Sequence, residues 1–197
     1  MESNLKAGTV AYFRQWFSTN ADQLRNLHAR DIADSIHGKL KEIDGRLGVE
    51  VSDGEFQREI VVSAGRESEL FGLVDLICDS IRQLGWRVQS LKPARGFAFK
   101  IKTEGVQIDA HELFFEPLES KSHPHELGIR LFAPEAVLEV VSGAAWWIIE
   151  TGIGERAAAG ISYLEVARVP SDPSGPIPLR ELAEFLEWRA RQRRSRS

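Results

Sequence analysis

Residues 135–150 bring together Val137, Leu138, Val140, Val141, Ala144, Ala145, Trp147, Ile148 and Ile149. At helical spacing these side chains fall on most sides of the cylinder, so the segment reads as a helix largely buried in a core. Pro134 suits its first turn, and Gly152-Ile153-Gly154 stops it. The segment is too short for a comfortable membrane span, and no apolar run in the chain reaches the roughly 18 residues that such a span needs. The remaining chain must therefore build a core around this helix. At 197 residues it is long enough to do so without disulfides or metals. The single Cys78 excludes an internal disulfide framework and a Cys-rich zinc site.

The hydrophobic period along the chain says what that core contains. Tyr12, Phe13, Trp16 and Phe17 share one helix face, and Ser18-Thr19-Asn20 is expected to break that helix. Asn20 with Gln23 resembles a capping box for a second helix, whose apolar positions run from Leu24 to Leu47. Val49 and Val51, then Phe56 and Ile60-Val61-Val62, alternate as a hairpin around Ser52-Asp53-Gly54. Leu70, Val74, Ile77, Ile81 and Leu84 step by four and three as an amphipathic helix, with Gly85 placed to end it. Trp86 to Leu91 reads as a short strand and Lys92 to Gly96 as a loop. Residues 97–110 read as a hairpin turning at Glu104-Gly105. Leu113-Phe114-Phe115 extends that strand or begins another, 117–125 is a loop, and Leu127 to Leu131 alternates again. A late strand is expected at 161–169, a Pro-rich turn at 170–178 and a final helix over 179–192. Strands and helices are partly segregated. The pattern predicts an α+β fold, a mostly antiparallel sheet with helices packed on it, two N-terminal helices and a C-terminal helix. One globular domain is expected over 1–188, followed by a basic tail at 189–197.

Several phrases recur together in this order: Phe13-Arg14-Gln15-Trp16-Phe17, Glu59 to Gly65, Gly85-Trp86-Arg87-Val88, Gly154-Glu155-Arg156 and Pro178-Leu179-Arg180-Glu181-Leu182. They resemble a group of uncharacterised bacterial proteins of about this length. The resemblance spans most of residues 10–186 and implies no catalytic role, because that group has no established activity.

No motif in the chain names a function, so candidate residues are weighed against plainer roles. His111, His123 and His125, beside Glu112 and Glu126, are a conceivable zinc or iron set. His123-Pro124-His125 in a polar loop reads more simply as an ordinary exposed loop, and the chain has no His-Glu-x-x-His pattern. His111, Glu112, Glu155 and Arg156 are the polar residues from which an enzyme site could be assembled. The helix start at Ser63-Ala64-Gly65-Arg66 could cradle an anion, but Glu67 and Glu69 occupy its positive end. Gly152-Ile153-Gly154 follows a helix, whereas a dinucleotide fingerprint must follow a strand. Cys78 lies on an apolar stripe and reads as structural. Trp146 and Trp147 diverge by about 100° on a helix, so one can fill the core and the other meet a partner. Arg87, Lys92, Arg95, Lys100 and Lys102 interleave with Trp86, Phe97 and Phe99. That pattern suits single-stranded nucleic acid or, on alternation, lysines facing water and aromatics facing a core.

The net charge of −4 conceals a split: five arginines in 189–197 leave 1–188 at −9. The acidic body opposes nucleic acid as the main ligand. Arg191, Arg193 and Arg194 in the tail are left as candidates for contact with an acidic partner. The resulting expectation is a cytoplasmic, non-enzymatic interaction protein of accessory or immunity type. It needs no cofactor, contacts no membrane, and meets another protein through Trp146, Trp147 and the tail arginines. An enzyme with a dispersed site and a nucleic-acid accessory protein are the alternatives.

Overall fold

A computed structural model of the protein describes residues 2–53, 58–103, 105–171 and 175–195. Gly54 and Phe56 of the expected first hairpin, Glu104 of the second, residues 172–174 of the Pro-rich turn and Arg196 of the tail lie outside the described residues. The fold is α+β, with six helices and three small, mostly antiparallel sheets among the described residues. The chain groups into two compact units, Met1–Lys92 and Pro93–Ser197. The sequence pattern predicts one domain over 1–188 with a loop at Lys92–Gly96, and the boundary between the units falls in that loop.

In the first unit the expected break at Ser18-Thr19-Asn20 does not occur, and α1 runs from Glu2 to Arg25. Thr19 Oγ1 donates to the Gln15 carbonyl at 2.9 Å and Asn20 Nδ2 to the Trp16 carbonyl at 2.7 Å. These polar side chains bond back one turn, where they are compatible with a continuing helix, instead of capping a new one. The helix stops beyond Arg25, where the Arg58 guanidinium takes the carbonyls of Arg25 and Leu27. Helix α2 (Ala29–Lys41) buries Ile32, Ile36 and Leu40 on one face, at spacings of four. Strands β1 (Gly48–Ser52) and β2 (Glu59–Ser63) pair antiparallel. Helix α3 (Phe71–Arg82) then crosses to β3 (Arg87–Ser90), which lies parallel to β2. Central strand β2 is buried at Ile60, Val61 and Val62, as a strand paired on both edges tends to be. Gly85 has φ of 79°, the conformation expected of the residue that ends α3.

The second unit opens with a hairpin of β4 (Lys100–Thr103) and β5 (Val106–Asp109), with Gly105 at φ 78°. A four-stranded sheet follows in the order β8-β7-β6-β9, made of Tyr163–Arg168, Gly128–Ala133, Phe114–Leu118 and Ile177–Pro178. Thus Phe114 begins a new strand that extends into the expected loop at 117–125. Strand β9 reaches only Phe114 and Phe115, so Pro117 sits at an edge where a missing N–H costs little. One face of the sheet is core. Phe115, Ile129 and Leu131 pack with Val141, Ala145, Ile148 and Ile149 of α4 (Leu138–Ile153) and Leu182 of α6 (Leu182–Arg194). Glu116, Arg130 and Glu165 stand directly opposite one another on three neighbouring strands, on the other face. Arg130 bonds both carboxylates. The hydrogen bond from Arg130, with a second from Tyr163, holds the Glu165 pKa below its usual range.

The C-terminal end of α4 is locked by the chain that precedes β4. Arg95 N–H and Gly96 N–H bond the carbonyls of Thr151 and Gly152 at 2.8 and 3.0 Å, meeting acceptors that a helix end leaves unpaired. A Cβ on Gly152 would lie 2.1 Å from the Phe97 ring, so only glycine admits that ring. Helix α5 (Glu155–Ala158) follows a glycine turn.

Candidate functional site

A 3-10 turn directly before α4 lengthens the helical stretch. With the 3-10 turn before it, the helical stretch Glu135–Ile153 has 19 residues and is long and apolar enough to cross a membrane, by length and composition. Only 39% of its most apolar window is buried. The covered side is Val141, Ala145, Ile148, Ile149, Gly152 and Ile153. Val140 and Ala144 are half-buried, and Gly143 and Trp147 are exposed. These four positions step by three, one and three, so they form one stripe. Apart from Trp147, the apolar side chains of α4 are buried or half-buried. The sheet covers α4 from one side; on the far side Val140 and Ala144 pack partly buried against the core and Trp147 is exposed.

The tryptophan pair divides as its angular spacing requires. Trp146 packs against the core. Trp147 is 49% exposed, and Phe99 meets it edge-on with ring centroids 5.3 Å apart. A Cβ on Gly143 would find nothing within 4 Å. A glycine inside a helix costs about 1 kcal/mol relative to alanine, and no packing in the second unit requires this one. Gly143 is the position of this stripe that the apolar pattern of the sequence does not contain, and a glycine inside a helix is its signal there.

The histidines do not gather. Among the described residues, the group whose possible ligand atoms lie within 4.8 Å of one another is Asp109, His111 and Glu112. His123 and His125 are not in it, so the structure does not bring the three histidines together. His123 Nδ1 instead meets Ser122 Oγ at 3.1 Å, and the His125 carbonyl accepts from Arg193. The Asp109 group is explained without an ion: His111 Nδ1 sits 2.7 Å from Asp109 Oδ1, and Lys100 Nζ 3.6 Å from Oδ2. Desolvation of the Asp109 carboxylate is the largest single influence on its pKa and raises it. The His111 hydrogen bond and the charges of His111 and Lys100 together outweigh this and bring it below the usual value. Glu155 is fully buried at the start of α5, whereas its neighbour Arg156 faces solvent. Neither belongs to the Asp109 group.

Comparison with protein-family models, with curated proteins and with solved structures finds no match.

The remaining candidates fall into structural roles. Arg46 holds Glu67 and Glu69 at 3.7 and 2.7 Å, so the acids at the start of the α3 region are already paired. Burial raises the Cys78 pKa to about 12, which makes the thiol a poor nucleophile. The basic and aromatic residues of 86–102 are spread over both units. Within them Arg87 faces Glu59 at 3.2 Å and Lys92 faces Glu50 at 3.1 Å. The boundary drawn at Arg189 is crossed by α6, which carries Arg191, Arg193 and Arg194 in its last turn. Arg191 lies 3.9 Å from Glu187. Arg189 reaches Glu119 at 2.6 Å, and Arg193 donates to the carbonyls of Pro124 and His125.

Proposed function

We propose that this chain is a non-enzymatic, cytoplasmic interaction protein of the accessory or immunity type, which docks another protein on the open side of α4. The observation that carries this reading is Trp147, half exposed on a helix whose opposite side is core. Single exposed apolar residues are ordinary. A tryptophan at one end of a continuous apolar stripe, held in place by Phe99, has the make-up of an interface centre instead. Gly143 and Ala144 let a partner backbone approach closely. Glu139, and Glu135 bonded to Arg168, supply a polar rim.

The test is co-purification of the full chain from its native cells, beside Trp147→Ala and Gly143→Glu. A near-stoichiometric protein should accompany the unaltered chain and be lost from both variants, with folding intact by circular dichroism. Absence of such a partner, or its retention by both variants, would contradict the reading.

A further inference from the structure

Helix α6 offers a second surface of different chemistry. Leu186, Arg189, Ala190 and Arg193 are separated by three, one and three, and so share one face of the helix. With Leu127 and Ala157 they line an open groove of about 360 Å³. Its floor is aliphatic and small, and its two arginines stand on the same helix face. We infer that this groove docks an extended acidic segment of a protein partner, taking one aliphatic side chain beside a pair of carboxylates, two residues apart, that meet the arginines. The inference rests on the reading that the chain works by binding a protein, at a surface other than α4.

Charge complementarity supports that occupant. The last two turns of α6 and the loop 119–126 hold Arg189, Arg191, Arg193, Arg194 and Lys121 against Glu119, Glu126 and Glu187. The helix C-terminus adds only about half a negative charge, so this end stays positive on a chain whose first 188 residues carry −9. The Arg189 Nε–H is buried without an acceptor among the described residues, so the donors of this guanidinium are not all met. Arg189 and Arg193, the two groove arginines, lie about 6 Å apart along the helix. Side chains two apart on an extended strand repeat at about 6.8 Å. An alternating acidic strand therefore matches the arginine spacing, whereas a single carboxylate would meet only part of it.

The probe is the fluorescein-labelled peptide Glu-Ser-Glu-Ser-Leu-Ser-Glu-Ser-Glu, titrated into the full chain by fluorescence polarisation. Saturable binding is expected, weakened about tenfold or more when lysine replaces glutamate or serine replaces leucine in the peptide. Ala190→Phe, which fills the groove and keeps every charge, and Arg193→Gln should each weaken binding by a similar factor. Trp147→Ala should leave it unchanged. No binding, equal binding of the lysine peptide, or full binding by Ala190→Phe would each overturn the inference; the last would show diffuse charge attraction and no groove. A failure here with Trp147-dependent co-purification intact refutes the groove alone. Peptide binding with no Trp147-dependent partner refutes the α4 reading alone.

Discussion

Helices α3 and α4 are the most apolar in their respective units, and they satisfy that character differently. Helix α3 buries Phe71, Leu73, Val74, Ile77, Cys78 and Ile81. Apart from Gly72 and Leu76, it turns Asp75, Asp79 and Arg82 outward. Its apolar stripe is consumed by its own unit. Helix α4 buries six residues, packs Val140 and Ala144 partly against the core, and leaves Trp147 half exposed. An amphipathic helix states in its sequence which side is covered. A helix that is apolar all round does not, and its far side must be covered by something the unit does not supply or be left to water.

This contrast can be broken by substitution. Ile77→Ala in α3 and Ile148→Ala in α4, both fully buried, should each cost about 3 kcal/mol in chemical denaturation, because each leaves a cavity in a packed core. Equal losses would show that the inner side of α4 is as much core as α3. Gly152→Ala should cost about 2 kcal/mol, since the new methyl meets the Phe97 ring at 2.1 Å. Trp147→Ala should cost only about 1 kcal/mol, because one edge-on ring contact is lost and no cavity is made. Gly143→Ala should raise stability by up to about 1 kcal/mol, as open space surrounds that position. A loss there would mean that the outer side of α4 is already packed.

The pH response of Cys78 starts small near pH 8 and grows as the pH rises. Its pKa is raised from 9.0 to about 12 by burial, so over that range the unfolded chain releases the proton and the folded chain retains it. Stability should therefore fall as pH rises through this window, by more in the unaltered protein than in Cys78→Ala. Denaturation midpoints of the two proteins from pH 8 upward measure the difference. An identical pH response would mean that the thiol is solvated.

The periodic elements were legible in the sequence because burial on one side writes itself as spacing: Ile32, Ile36 and Leu40 in α2, or Ile129 and Leu131 in β7, need no further information. Three features were not legible, each for a physical reason. Thr19 and Asn20 are breakers by type, yet a helix accepts them when their side chains bond the carbonyl one turn back, and composition does not report that choice. The parallel pairing of β3 with β2 depends on where α3 returns the chain. The arginines of α6 look like a loose tail because their partners, Glu119 and the carbonyls of Pro124 and His125, lie some 70 residues earlier. Of the candidate sites, Trp147 was visible as one of a diverging pair. Asp109 lies only two residues from His111, but their contact depends on the 3-10 turn Ala110–Glu112, which no spacing in the sequence announces.

The central claim is that the outer side of α4 is covered by another protein while the exposed apolar residue of α3 is not. A photo-crosslinking amino acid placed at position 147 or, separately, at Leu76 of α3 tests this in native cells, since both side chains are about half exposed. A discrete crosslinked protein adduct from position 147 and none from position 76 is the predicted result. Equal labelling from both positions, or lipid adducts alone from position 147, would contradict it.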